Sequence, residues 1–412
     1  MRNIEKIIIS SLENMRALSE INVEGKVCLT RVDLNCPLDD ERNILDTTRI
    51  KAHAETIKYI ADLKGKVVVI AHQGRPGSSD FSSLEAHSNN LQQIVGDKYK
   101  VDFFPQTHGP EVEARINTMN AGDILVLENV RMVEGETANK TAEEHSKSPY
   151  IKSLAKVGEI FVNDAFSAAH RSHMSLVGFT AILPSVAGLI MEREVNNLQR
   201  VVDNPEKPCT FILGGIKPED SFKVAEYVLK NDVADIVLTG GVISQLLLIV
   251  LGNSLGDQTY DFLAKKKLLQ FIEPAKNLIK QFGERVRVQS DFAVDEGGRK
   301  LYSMKDLPLD SPILDIGDQT INEYRTIILE SATTVLNGPM GKFEEPGFEK
   351  GTLEVFKAMS GSKGFSLAGG GHSVSIIEKN NIKLSYVSTA GGAMIQFLMG
   401  KPLPAILALN AY

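Results

Sequence analysis

Short, unbroken runs of apolar residues punctuate this chain at 27–35, 66–72, 123–129, 159–163, 209–215, 235–241, 333–338, 364–370 and 384–389, and each closes on small or polar residues. Segments of helical length and period lie between them. A strand with one face in water alternates apolar and polar positions. Continuous runs instead belong to strands buried on both faces, and with helices between them they predict parallel sheets built of βαβ units. The class is α/β. In open parallel sheets, ligands bind beyond the carboxyl ends of the strands, where loops converge and helix N-termini present unpaired N–H groups. The chemically unusual residues fall at those ends: Asp33 and Asn35, His72 and Arg75, Glu128 and Arg131, 163–171, 214–217, 337–344 and 369–373.

Near the middle, Met191, Val195, Leu198 and Val202 form a helical stripe that stops at Asp203-Asn204-Pro205 and Pro208. The stripe suits a helix joining two halves or one more amphipathic helix on a continuous sheet. A length of 412 residues favours two domains, since a single core seldom grows that large.

The two halves carry different chemistry. Strand-end loops of the first hold Arg49, His72, Arg75, Arg131, His170 and Arg171. Converging guanidinium forks match phosphate and carboxylate oxygens, so this set predicts a pocket for a small, multiply charged anion. Asp33 and Asn35, two apart on a strand, face one side and suit that anion's hydroxyl groups. Loops of the second half are rich in glycine, at Gly214-Gly215, Gly240-Gly241, Gly338, Gly341, Gly369-Gly370-Gly371 and Gly391-Gly392. Glycine lets backbone approach phosphates and expose successive N–H groups, as a nucleotide site requires, although tight βα turns ask for glycine as well.

Composition narrows the classes further. With 43% hydrophobic and 24% charged residues and no low-complexity segment, the chain should fold throughout. A net charge of -7 disfavours a general nucleic-acid or anionic-membrane binder. Cys28, Cys36 and Cys209 are odd in number and lack CxxC spacing, which suggests neither disulfides nor zinc and suits a reducing cytoplasm. The apolar run 246–251 is far too short to span a bilayer, so neither export nor membrane anchoring is expected. No GxxxxGK[ST], HRD/DFG pair, HExxH or GxGxxG occurs, which removes the P-loop, protein-kinase, zinc-protease and dinucleotide readings.

Read as strings, these loops resemble the phosphoglycerate kinase family from one end of the chain to the other. RVDLNCP (31–37), TTRIKA (47–52), HQGRP (72–76), LENVRMVEGE (127–136) and VNDAFSAAHRSHMS (162–175) are similar to its first-half motifs. LGGIKPEDS, LNGPMGKFE, AGGGHS and STAGGA are similar to its second-half motifs. The resemblance implies two Rossmann-like domains with parallel sheets, joined by a helix and closing over a hinge-bending cleft. The expected limits are 1–187 for a phosphoglycerate-binding domain, 188–204 for the hinge helix, 205–390 for a nucleotide-binding domain and 391–412 for a segment packing back on the first domain. It places phosphoglycerate on Asp33, Leu34, Asn35, Arg49, His72, Gln73, Gly74, Arg75, Arg131, His170 and Arg171. It places the nucleotide on Gly214, Gly215, Lys217, Gly240, Gly241, Asn337, Pro339, Glu344, Gly369, Gly370, Gly371, His372 and Ser373. Arg49 and Lys217 are the expected catalytic pair. The partners implied are 3-phosphoglycerate or 1,3-bisphosphoglycerate and ADP or ATP, with Mg²⁺ on the nucleotide, in a cytoplasmic monomer or small homo-oligomer.

Four positions depart from the common pattern. Ser221 stands where the family often has a second lysine, and His372 where it often has a carboxylate for nucleotide-bound magnesium, so the metal's ligands stay unknown. Both changes resemble the archaeal branch. Ser167 and Ala390 replace glycines and leave the backbone path open. Two other readings remain: a catalytically silent relative, motivated by Ser221 and His372, and a kinase for a different carboxylate, opposed by the phosphoglycerate-type positions. The reaction implied needs no general base, because its carboxylate nucleophile is already ionised at neutral pH. His72 and His170 are therefore read as hydrogen bonders and Glu344 as an acceptor for ribose hydroxyls.

Overall fold

The computed structural model describes residues 15–411 apart from 371, 372, 374, 375 and 378, so Gly371 and His372 lie outside the described residues. The chain divides into two compact units, Met1–Asn196 with Lys401–Tyr412, and Asn197–Gly400. The helix Leu189–Val202 contains the first of these divisions.

In the first unit β1 (Val27–Arg31), β2 (Lys66–Ile70), β3 (Val101–Phe104), β4 (Ile124–Leu127), β5 (Ile160–Asn163) and β6 (Ser185–Ala187) form one sheet in the order β3-β4-β2-β1-β5-β6. All its pairings are parallel. Neighbouring residues of each strand point to opposite faces, and both faces are covered. Cys28, Val67, Val69, Val126 and Val162 join Ile50, Ala54, Ile57 and Ile60 of the helix Thr48–Asp62 in one core. Leu29, Val68, Ile70, Leu125 and Phe161 join Val112, Ile116, Ile151 and Leu154 in the other. This double burial is the physical cause of the unbroken apolar runs. The helix Pro404–Asn410 belongs to the same unit, where Ala405 N–H donates to the Ala169 carbonyl at 3.1 Å.

In the second unit β7 (Cys209–Leu213), β8 (Ile236–Thr239), β9 (Val286–Arg287), β13 (Thr333–Asn337), β14 (Phe365–Gly369) and β15 (Tyr386–Ser388) make a parallel sheet in the order β15-β14-β13-β7-β8-β9. A separate antiparallel sheet, β11-β10-β12, comprises β10 (Asp291–Asp295), β11 (Arg299–Ser303) and β12 (Ile313–Ile316). It has its own core of Leu248, Leu255, Phe292, Val294, Leu309 and Ile313. The parallel pattern predicts nine strands, and all nine form. It misses β3, whose positions are all only partly buried, the three-residue β6 and the two-residue β9. The antiparallel sheet was also unforeseen; β11 has no fully buried position and carries no apolar run.

Candidate active site

β1 loses its ladder just after Arg31, the last bond being Val32 N–H to the Ile70 carbonyl at 3.0 Å. The chain beyond it is therefore free to turn, and Asp33 sits there almost fully buried. Its Oδ1 accepts from Asn35 N–H at 3.0 Å, and its Oδ2 pairs with Arg49 at 2.6 Å. Arg49 is the second residue of the helix Thr48–Asp62, so the fold of that helix sets the ion pair. Ser167 Oγ donates to the same Oδ2, a contact that a glycine there lacks. Burial alone would raise the Asp33 pKa, but Arg49, His72 and Ser167 outweigh it and hold the carboxyl far below the usual range.

Around this carboxylate the structure gathers cations. Arg131 is nearly buried and donates to the Gly74 carbonyl at 3.3 Å. Burial, with repulsion from Arg31 and Arg171, pushes it down to about 10. Arg171 is lowered by burial and then by Arg75, and its Nε donates to His170 Nε2 at 3.2 Å. His72 falls well below its ordinary value through burial and Arg31, with Asp33 opposing. Arg131 Nε, His170 Nδ1 and His173 Nδ1 are buried with no partner. Mutually repelling guanidinium groups and orphaned nitrogens leave donors and positive charge that a multiply charged anion could satisfy.

Two of the expected positions are enclosed by protein. Leu34 and Gln73 are fully buried. Gln73 Oε1 accepts from Cys36 N–H and lies within bonding distance of His87 Nε2, both 2.9 Å, while its Nε2 donates to the Cys36 carbonyl at 3.0 Å. Its side chain thus braces the loop from within. Asn35 likewise uses its Oδ1 on Gly74 N–H at 2.8 Å. Residues the sequence reading passed over lie beneath them. Arg31 is fully buried, its Nε donating to Ser175 Oγ at 2.9 Å, and Ser175 Oγ donates to Glu136 Oε1 at 2.6 Å. Burial lifts the Glu136 carboxyl to about 6 against the pull of Arg31. A charged residue closing a fully buried strand was the available signal.

In the second unit the strand-end loops interlock. Gly214 N–H donates to the Asn337 carbonyl at 3.0 Å, Gly215 to Pro339 at 2.7 Å, Gly240 to Leu213 at 3.0 Å and Gly241 to Met340 at 2.6 Å. The expectation that these glycines expose their N–H groups is thus corrected: backbone carbonyls already occupy those donors. Glycine is required for contact. A Cβ on Gly214 would lie 2.1 Å from the Pro339 carbonyl oxygen, and Gly338, at φ +86, would put one 2.5 Å from the Gly214 oxygen.

Two adjoining cavities open above this junction. One, of about 370 Å³, is lined by Lys217, Asp220, Ser221, Asn337, Gly370, Ser373 and Gly391 among others. The helices Pro218–Lys230 and Gly391–Leu398 begin at it, and neither has a side-chain cap, so their first N–H groups remain available to an anion. The other, of about 560 Å³, is mostly apolar, with Val242, Phe262, Ile313, Leu314 and Phe343, and has Glu344 at its exposed margin. Gly215, Ile216 and Pro339 border both, so a ligand with an apolar end and a phosphorylated end fits across them.

The phosphoglycerate kinase family model matches residues 18–401. The chain belongs to the phosphoglycerate kinase family. It is 41% identical over 402 residues to "Phosphoglycerate kinase" of Pyrococcus furiosus, covering 96% of this chain and 97% of that protein. It is 40% identical over 397 residues to that of Methanobacterium bryantii, covering 95% and 96%. The crystal structure of phosphoglycerate kinase from Pyrococcus horikoshii OT3 superposes with a TM-score of 0.89 at 38% identity, covering 96% of this chain and 98% of that one. The structure of phosphoglycerate kinase from Coxiella burnetii gives a TM-score of 0.80 at 28% identity, with the same coverage. The phosphoglycerate kinase fold of two parallel-sheet α/β domains accounts for both halves.

Proposed function

We propose that the arginine-lined loops of the first unit bind phosphoglycerate and that the interlocked glycine loops of the second bind the adenine nucleotide. The activity is that of the family: reversible phosphoryl transfer between 1,3-bisphosphoglycerate with ADP and 3-phosphoglycerate with ATP, a step of glycolysis. The observation that supports the phosphoglycerate assignment is the mutual repulsion of Arg131, Arg171 and Arg75, with Arg171 acting on the Asp33 carboxylate that pairs with Arg49 and Arg131 Nε left without an acceptor.

The carboxylate of 3-phosphoglycerate is ionised at neutral pH, so catalysis rests on positioning and charge cancellation rather than proton abstraction. Arg49 and Lys217 are assigned to the phosphoryl group in transit. The apolar cavity takes the base, Glu344 the ribose hydroxyls, and Lys217 with the two uncapped helix N-termini the phosphates. Asp220 is the carboxylate lining the phosphate cavity, and no group of three metal-binding side chains occurs among the described residues. A single carboxylate suits magnesium that arrives on nucleotide phosphates and keeps waters of its own. Bound there, magnesium would neutralise phosphate charge.

Transfer requires the two ligands to meet, so we infer that binding of both closes the enzyme and excludes water. Small-angle scattering with both substrates tests this, and an unchanged radius of gyration counts against it. A coupled assay of ATP formation from 1,3-bisphosphoglycerate tests the activity itself; a protein that binds nucleotide without turnover would be a silent relative. No helix of the described residues is long and apolar enough to cross a membrane, and a cytoplasmic location is proposed on the family's glycolytic role.

A further inference from the structure

Beneath the anion site, Arg31 NH2 lies 3.2 Å from His72 Nδ1, and both side chains are buried. A guanidinium group has five donors and no acceptor, so it bonds only to a ring nitrogen that carries no proton. Arg31 has little freedom to turn away. Its Nε donates to Ser175 Oγ at 2.9 Å, its NH1 donates to the Val32 carbonyl, and Ser175 is held by Glu136 through both Oγ (2.6 Å) and backbone N–H (2.9 Å). A proton on Nδ1 would point into this fixed cation. Asp33 Oδ1, at 3.9 Å, is too distant to claim one.

We propose that Arg31 is a positioning residue that holds His72 as the neutral Nε2–H tautomer, so that His72 offers phosphoglycerate a hydrogen-bond donor without adding a charge. The inference rests on the phosphoglycerate assignment above. Among the described residues nothing accepts from Nε2, which leaves that donor for a ligand. The charged groups that act on the ring are Arg31 on β1, Asp33 beyond it, Arg131 and Arg171. Of these only Asp33 favours a second proton, and burial opposes it. The consequence is a pocket whose charge, and hence whose anion affinity, does not change through protonation of His72 near neutral pH.

Histidine-selective ¹⁵N labelling of the whole enzyme and long-range ¹H–¹⁵N correlation read the tautomer directly. In the ligand-free enzyme His72 should show a protonated Nε2 and a bare Nδ1, unchanged from about pH 5.5 to about 8.5. Addition of 3-phosphoglycerate should then shift Nε2. A proton on Nδ1, or titration between about pH 6 and 7, overturns the role of Arg31. The expected tautomer with no response to 3-phosphoglycerate overturns instead the site assignment beneath the inference. As a second readout, His72→Gln can both accept from Arg31 and donate outward, and should keep 3-phosphoglycerate affinity within about threefold, whereas His72→Ala should lose about tenfold or more. Equal losses in the two variants also overturn the proposal.

Discussion

His53 Nδ1 lies 2.8 Å from Asp164 Oδ2, while the other oxygen of Asp164 accepts from the backbone N–H groups of Ile190 and Met191 at 2.8 and 3.2 Å. Asp164 is fully buried, and it lies so close to Gly188 that a Cβ there would meet Oδ1 at 2.3 Å. One carboxylate thus answers the first N–H groups of the helix Leu189–Val202 and a side chain of the helix Thr48–Asp62, the helix that also carries Arg49.

Removing that carboxylate orphans three donors in a site without water access. Asp164→Ala should cost about 3 kcal/mol of stability. Chemical denaturation measures it, and a loss below about 1 kcal/mol would mean that the helix start finds other partners.

Lys217 immediately precedes the helix Pro218–Lys230, is exposed, and borders the cavity of about 370 Å³. Its truncation leaves the core untouched. Lys217→Ala should lower kcat by about 10²–10³-fold, as loss of a charge-stabilising group does. The KM for 3-phosphoglycerate should stay within about twofold, since a uniform binding loss would be a different signature. Steady-state kinetics separates the two.

Gly338→Ala puts a methyl group 2.5 Å from the Gly214 oxygen on a backbone already at φ +86. The loops after β7 and β13 must then separate. Nucleotide affinity should fall by about tenfold or more while 3-phosphoglycerate affinity holds, because the strain is confined to one unit. Calorimetric titration with each ligand alone checks this. Parallel losses of both affinities would contradict it.

Asp315 is a pH lever under the turn that carries Gly341. It is almost fully buried, its Oδ2 accepting from Gly351 N–H at 2.8 Å and from Arg299 at 3.0 Å, while its Oδ1 has no partner. Burial lifts its carboxyl to about 7, against the opposing pull of Gly351 N–H and Arg299. A folded-state pKa above the unfolded one means that the group's contribution to stability is complete below about pH 4 and lost as pH rises through about 7. The stability of the wild type relative to Asp315→Asn should therefore decline between those limits, by on the order of 3 kcal/mol. Denaturation at several pH values tests the sign. A rise over that interval would show that Arg299 governs the carboxyl.

The site was legible to different depths in the two units. Arg131 and Arg171 stand after strand patterns as expected, whereas Arg49, expected in a strand-end loop, lies in the first turn of the helix Thr48–Asp62. The glycine loops were legible as necessary but not for the right reason. The donors of Gly214, Gly215, Gly240 and Gly241 bond to carbonyls of neighbouring segments, and no pattern along one segment shows which carbonyl a distant turn brings near. Arg31 and Glu136 escaped notice because pairing inside a core requires the partner to be visible.

By itself the sequence determined the class, the nine principal strands and the basic and glycine-rich loops, because burial on two faces and turn chemistry act over a few neighbouring residues. Only the tertiary structure decided which groups meet: Arg31 with His72, His53 with Asp164, Gly214 with Pro339. Those contacts join residues tens to more than a hundred positions apart, and their energies depend on distance and dielectric, quantities that exist only once the chain has packed.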